Sequence, residues 1–342
     1  MKKNAQSHGH IAKVINVYQE KYANGKYCTG IGDFIRGSLC LLQYATLQNI
    51  QFEMYYAAHP ISQFLCSRDT NENEDDDDSN NNSNNELSPE IHPYRVAYCN
   101  TDGQLSANTK IQIQKLFTMF IRKNMNNVVP LENIFPMYTI AFPAKPIDES
   151  HKMRIKNALS PTAHLQSKLD LTMKNMGIAP KQYNVIHVRA GDSYLVHGNE
   201  LPFPNTMVEC KKAFLKVFEI DDLNNGKFSE ENEQRIPFVL ISDSVELKKQ
   251  MKKTIPKIIV KHHLITHTGE NALNNDGNGD DHDNDDAKNE DDKKKVENTL
   301  IDFFIISQAS SVYAFSPMQH GTGFSEQCCQ IYNVPYSSHK LD

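Results

Sequence analysis

The chain has 342 residues, 39% hydrophobic and 23% charged, with a formal net charge of −6. That length suggests about two domains, and the composition is that of an ordinary soluble protein apart from two acidic tracts. Residues 69–86 hold eight acidic residues and no basic ones, and residues 270–295 hold ten acidic against four basic. The rest of the chain carries 32 Lys and Arg against 24 Asp and Glu, a mildly basic body that suits an anionic small molecule or a polyanion. The tracts lack the apolar residues needed to offset ordering entropy, so two disordered loops are expected, over about 69–88 and about 268–294. The DxD-like match Asp281-His282-Asp283 is what chance places in a poly-Asp run. Seven cysteines without a CxxC pair or regular spacing argue against zinc and against a disulfide framework. Cys28, Cys40 and Cys99 read as buried thiols. No apolar core follows Met1-Lys2-Lys3, and no window approaches about 18 consecutive apolar residues. A chain with neither signal peptide nor membrane span is expected, and with it a cytoplasmic location.

In chain order, Gly30-Ile31-Gly32-Asp33-Phe34-Ile35-Arg36-Gly37 reads as a glycine loop leading into an apolar helix over Ser38–Leu47. Such a loop sets free backbone N–H groups and a positive dipole end beside a possible anion, with Arg36 about one turn in. Gln51–Tyr56 alternates like a strand, and a short helix is expected from His59. Strands are predicted at Tyr94–Tyr98 and Tyr138–Phe142, a helical pattern over Ile111 to Ile121, and helices over Asp148–Leu159 and Thr162–Met176. This alternation predicts a first α/β unit, residues 1–178.

A second unit, 179–342, opens on the β-branched run Val185-Ile186-His187-Val188, which ends at Arg189-Ala190-Gly191-Asp192. Alternation along a strand places His187 and Arg189 on one face, where a polar or anionic partner is needed. A helix over Thr206–Phe218 follows a loop that holds His197 and Glu200. Phe238–Ile241 is a buried strand ending in Ser242-Asp243, with Ser244 as cap of a helix over Val245–Thr254. Ile258–Val260 and Val312–Phe315 are further strands, Leu300–Ala309 an apolar helix carrying Asp302, and His320–Ser325 opens a last helix over Glu326–Tyr332. Repeated strand–helix alternation predicts a mostly parallel sheet.

Four polar clusters, at Gly30–Arg36, His187/Arg189, Ser242/Asp243 and His320–Ser325, lie just past a strand or at a helix start. Ligands of open α/β sheets gather at such places. Arg189 offers a fork for phosphate, the backbone at Thr322–Ser325 a second phosphate contact, and Asp243 and Asp302 offer carboxylates. A carboxylate with a nearby His suits a base edge with paired N–H donors, such as guanine. The sequence lacks GxxxxGK[ST] and GxSxG, which excludes a P-loop enzyme and a hydrolase elbow.

His187-Val188-Arg189-Ala190-Gly191-Asp192 resembles the first motif of the fucosyltransferases that build alpha-1,2, alpha-1,6 and protein O-linked fucose. Phe238–Ser244 resembles their second motif. Asp302, Ser316 and Thr322-Gly323-Phe324-Ser325 resemble their third, and Gly30–Gly37 their N-terminal glycine loop. The resemblance implies a GT-B fold of two Rossmann-like units facing a central cleft. It implies GDP-fucose as donor, a glycan acceptor, inversion, no cofactor and no obligatory metal. Nucleic acid is not among the implied partners. By the same resemblance Arg189 is the catalytic residue that neutralises the donor phosphate, and Asp33, Asp192 and Glu200 are candidate bases. Donor binding falls to Gly30, Gly32, Arg36, His187, Ser242, Asp243, His320, Thr322, Gly323, Phe324 and Ser325. Thr322-Gly323 departs from the usual Ser-Thr or Ser-Ser pair. A binding protein that kept the fold without transfer, or a GT-B transferase with another nucleotide sugar, fits the same residues.

Overall fold

The structure is a computed structural model, and it describes residues 13–19, 29–66, 94–96, 134–189, 236–261, 285–317 and 322–341, with single positions in 111–119 and at 208 and 212. Contacts divide the chain into two compact units, each with its own parallel sheet. Unit 1 comprises 1–28, 33–62 and 66–160, and unit 2 comprises 29–32, 63–65 and 161–342.

The first sheet has the order β2-β1-β5-β4, from β1 (Lys13–Val17), β2 (Gln51–Tyr55), β4 (Tyr94–Val96) and β5 (Ile134–Thr139). β1, which no sequence signal singled out, is central and buried from Val14 to Val17. β2 alternates as expected, with Phe52 and Met54 inward and Glu53 paired to Lys13 at 2.8 Å. Helix α1 spans Ile31–Leu47, so the expected glycine loop is mostly the first two turns of the helix itself. Close packing explains this: a Cβ at Gly37 would lie 1.6 Å from the Thr139 carbonyl oxygen. The strand expected over Tyr138–Phe142 runs earlier, as β5, and leaves the sheet at Ile140. Here α1 side chains take the backbone groups that a ladder would need. Arg36 Nε donates to Ile140 O at 2.8 Å, and the Gln43 amide bonds both Ala144 N (2.7 Å) and Ala144 O (2.9 Å). Pro136, inside a paired strand, is what hid β5 in the sequence.

A two-stranded sheet pairs β3 (Leu65–Cys66) with β6 (Ser160–Pro161). Helix α2 spans Glu149–Ala158. Helix α3 spans Ala163–Met176, with Thr162 Oγ1 accepting from Leu165 N and Gly177 closing it at φ 66°. The expected boundary lay after this helix, yet α3 groups with unit 2, because His164 and Lys168 both bind Glu297 of that unit, at 2.9 and 2.8 Å.

The second sheet has the order β11-β10-β7-β8-β9, all parallel, from β7 (Asn184–Val188), β8 (Phe238–Ser242), β9 (Ile259–Val260), β10 (Ser311–Ser316) and β11 (Tyr336–Lys340). β7 is central, with Val188 beside Ser242 on one side and Phe315 on the other. Helix α4 (Val245–Thr254) begins as predicted on Ser244, whose Oγ accepts from Leu247 N at 3.1 Å. Leu247 and Met251 pack on Ile186, Val188, Leu240 and Phe315, a core in which removal of one large side chain typically costs about 2–5 kcal/mol. Helix α5 runs Asp285–Ser307, which overturns the expected loop over 285–294. Asp285 and Asp286 stand in its first turn, Glu290 sits four residues before Lys294, and buried residues from Val296 onward anchor it. Helix α6 spans Gly323–Tyr332 and leads to β11, an edge strand without apolar alternation that the sequence reading missed. The rest of both expected loops, and most of the helix expected over 206–218, lie outside the described residues.

Candidate functional site

In a parallel sheet all carboxyl ends share one edge, so the ends of β7, β8 and β10 open on common ground. His187 is the penultimate residue of β7 and is buried. Its Nδ1 lies 2.8 Å from Ser325 Oγ, in the first turn of α6. Ser325 Oγ in turn bonds Thr322 Oγ1, and Thr322 Oγ1 lies 3.2 Å from Tyr336 Oη on β11. This hydroxyl chain ties the start of α6 to two strands. Phe324, between the two hydroxyl residues, sets its ring 5.9 Å from the His187 ring and edge-on to Phe303 at 5.7 Å.

Burial, and then the charge of Arg189, lower the His187 pKa to about 4 against an opposing pull from Asp302, so the imidazole is neutral near pH 7. Burial also raises the Tyr336 pKa, which keeps its hydroxyl protonated. Arg189 extends the ladder by one bond, its N–H donating to Phe315 O at 2.9 Å, and its half-buried side chain leaves the strand end beside His187. Ser242 is buried and its Oγ accepts from Ser244 N at 3.1 Å, which shapes the turn that carries half-buried Asp243.

Gly32, within the residues of α1 that group with unit 2, meets the start of α6. A Cβ there would lie 2.6 Å from both C and O of Gly323 and 2.8 Å from Phe324 N. Two helix N-termini therefore touch at paired glycines, bringing two positive dipole ends to one place.

The structure thus gathers His187, Arg189, Thr322, Gly323, Phe324, Ser325, Gly32 and, with its neighbour Gly30, the first turn of α1. Ser242 and Asp243 stand at the adjacent strand end. Asp33 and Arg36 are placed differently. They pair with each other at 2.9 Å, and the Arg36 guanidinium also sits 4.2 Å over the Phe142 ring, within unit 1. Asp192, His197, Glu200 and His320 lie outside the described residues. Sequence reasoning missed Tyr336 and the buried Lys248, since Lys248 sits in a lysine-rich helix that reads as a solvated face. Among the described residues no group of three or more His, Cys, Asp or Glu could hold a metal ion, and no helix is long and apolar enough to cross a membrane.

No protein-family model and no curated protein matches the chain by sequence. Solved structures do match. A mutant of Arabidopsis thaliana FUT1 in complex with GDP is 8% identical, with a TM-score of 0.51 covering 98% of this chain and 72% of that one. Fucosyltransferase NodZ from Bradyrhizobium is 13% identical, with a TM-score of 0.44 over 93% and 92% of the two chains. POFUT1 in complex with GDP-fucose is 9% identical, with a TM-score of 0.40 over 97% and 98%. The likeness to the plant structure shows that the chain has a fucosyltransferase-like fold of mixed α/β units with parallel sheets.

Proposed function

We propose that the chain is a glycosyltransferase that moves fucose from GDP-fucose to a glycan hydroxyl, with inversion and without an obligatory metal. The observation that carries this reading is the convergence of Arg189 with the glycine-paired helix starts at Gly32 and Gly323 on the carboxyl edge of the second sheet. A guanidinium fork and two helix N-termini suit a diphosphate. The plant structure of the same fold holds GDP, which supports a guanosine diphosphate here.

In this reading Arg189 neutralises the β-phosphate as the bond from the anomeric carbon to the diphosphate oxygen breaks, and this charge stabilisation is the main catalytic contribution. The acceptor hydroxyl attacks the anomeric carbon from the opposite face. Its proton passes to a base; of the candidates Asp33, Asp192 and Glu200, Asp33 is taken up by Arg36. Thr322 and Ser325, locked by His187, fix the first turn of α6 against the phosphates, and Phe324 packs beside the nucleotide. Asp302 and Asp243 accept from the base edge, next to a neutral His187.

The test is nucleotide release from GDP-fucose, another GDP-sugar and a UDP-sugar, each with a panel of glycan acceptors. Acceptor-dependent GDP release from GDP-fucose, unchanged by a chelator, is expected. Turnover of a UDP-sugar alone overturns the reading. GDP binding without release for any acceptor marks a protein that kept the site and lost transfer.

A further inference from the structure

Helices α3 and α4 both begin on a hydroxyl residue whose oxygen accepts from the backbone N–H three residues on. Thr162 accepts from Leu165 N at 3.3 Å, and Ser244 from Leu247 N at 3.1 Å. Thr322 stands at the same position of α6, yet its side chain makes no such bond. Its Oγ1 is held instead by two hydroxyls, Ser325 Oγ and Tyr336 Oη, the latter at 3.2 Å. Tyr336 is the first residue of β11, so a strand, rather than the helix, decides where the Thr322 hydroxyl points.

Thr322 and Ser325 are 0% exposed and His187 is 6% exposed, so these groups find their hydrogen-bond partners within the protein. Each hydroxyl has one proton to give. Ser325 can give its own to His187 Nδ1 at 2.8 Å or to Thr322 O at 3.5 Å, and the shorter contact is the stronger bond. Thr322 then donates to Ser325, and Tyr336 to Thr322. The reverse order needs the phenol to accept from Thr322. A phenol oxygen shares its lone pair with the ring, so it is a better donor and a poorer acceptor than an alkyl hydroxyl. The phenol also bonds Ser325 and Ser338. Ser338 can donate to the phenol oxygen, and a phenol proton given to either Thr322 or Ser325 enters the same pair. Bonds that all run one way reinforce one another.

The direction matters at the far end of the chain. Buried His187 is neutral, so it holds its proton on one ring nitrogen only. An Nδ1 that accepts from Ser325 leaves that proton on Nε2.

We propose that Tyr336 is a positioning residue: it heads a one-way chain, from Tyr336 through Thr322 and Ser325, that fixes His187 as the Nε2–H tautomer, a neutral donor for an oxygen of the bound nucleotide sugar. The ligand in this statement rests on the reading that the site takes GDP-fucose.

The experiment uses the full chain labelled with nitrogen-15 at histidine. Two-bond nitrogen–proton correlation spectra near neutral pH distinguish the two tautomers, and the His187 signals are those lost in His187→Gln. Wild type is expected to show His187 protonated on Nε2; protonation on Nδ1 overturns the chain. Tyr336→Phe keeps the ring and removes the leading donor. It should turn His187 into a mixture of tautomers and weaken GDP by about three- to tenfold in calorimetric titration. Thr322→Val breaks the chain in the middle and should change the His187 signals in the same way, whereas Thr322→Ser retains the wild-type pattern. A Tyr336→Phe protein with the wild-type tautomer, or with wild-type GDP affinity, overturns the positioning role, even where its urea midpoint falls. A wild type that binds no GDP refutes the guanosine reading, while the spectra still decide the direction of the chain.

Discussion

Arg36 and Arg189 look alike in the sequence, each a cation next to a glycine-bearing turn, and the molecule uses them in opposite ways. Arg36 is 8% exposed and its guanidinium is taken up by Ile140 O, Asp33 and the Phe142 ring, so it fixes the chain where β5 ends. Arg189 is half-buried, follows the last residue of a central strand, and stands by a buried His and two touching helix starts. The difference teaches that a cation near a glycine turn signals close packing as readily as an anion site. What separates the two is position: Arg36 lies inside a helix, packed on Ile140, Asp33 and Phe142, whereas Arg189 leaves the carboxyl end of a central strand.

The largest expected effect is on Arg189. Arg189→Ala should lower turnover of GDP-fucose by about two to three orders of magnitude, with the urea midpoint nearly unchanged. A rate within a few-fold of wild type would make Arg189 structural. The glycines divide in the same way. Gly37→Ala drives a Cβ into the Thr139 carbonyl oxygen and should cost about 3 kcal/mol in chemical unfolding. Gly32→Ala should show its effect in donor affinity too, because it displaces the start of α6. A Gly37→Ala protein as stable as wild type would contradict the close approach.

Arg36→Met should cost about 1–3 kcal/mol of stability by stranding Ile140 O and Asp33, with turnover little changed once the protein is folded. The last effect is a pH slope. The His187 pKa of about 4 lies below the unfolded value, so the unfolded chain takes the proton first on acidification. The stability that comes from neutral His187 is complete above about pH 6.5 and is lost as pH falls toward 4, by at most about 1.4 kcal/mol per unit. His187→Gln should flatten that part of the stability–pH curve, and an unaltered slope would refute burial as its cause.

The second unit was the more legible in sequence, and the reason is physical. Its strands β7, β8 and β10 are largely buried apolar runs that end in polar residues, and Ser244 caps α4 as predicted. The first unit was obscured where tertiary contacts override local signals. Pro136 sits inside a paired strand, and α1 begins through two glycines that serve close packing. The start of α5 was read as a loop because composition alone does not reveal that a charged segment continues into an anchored helix. In the candidate site the ends of strands and helices were visible. Lys248 and Tyr336 were not, because nothing in a run of lysines or in Tyr336-Ser337-Ser338 shows which side chain turns inward.

The central claim is that the carboxyl edge of the second sheet holds a guanosine diphosphate through Arg189. Its most direct test is calorimetric titration of GDP into wild type, Arg189→Ala and Arg36→Met. The account predicts saturable binding at one site, weakened by about tenfold or more in Arg189→Ala and by little in Arg36→Met. Absence of binding in wild type, or equal losses in both variants, would contradict it.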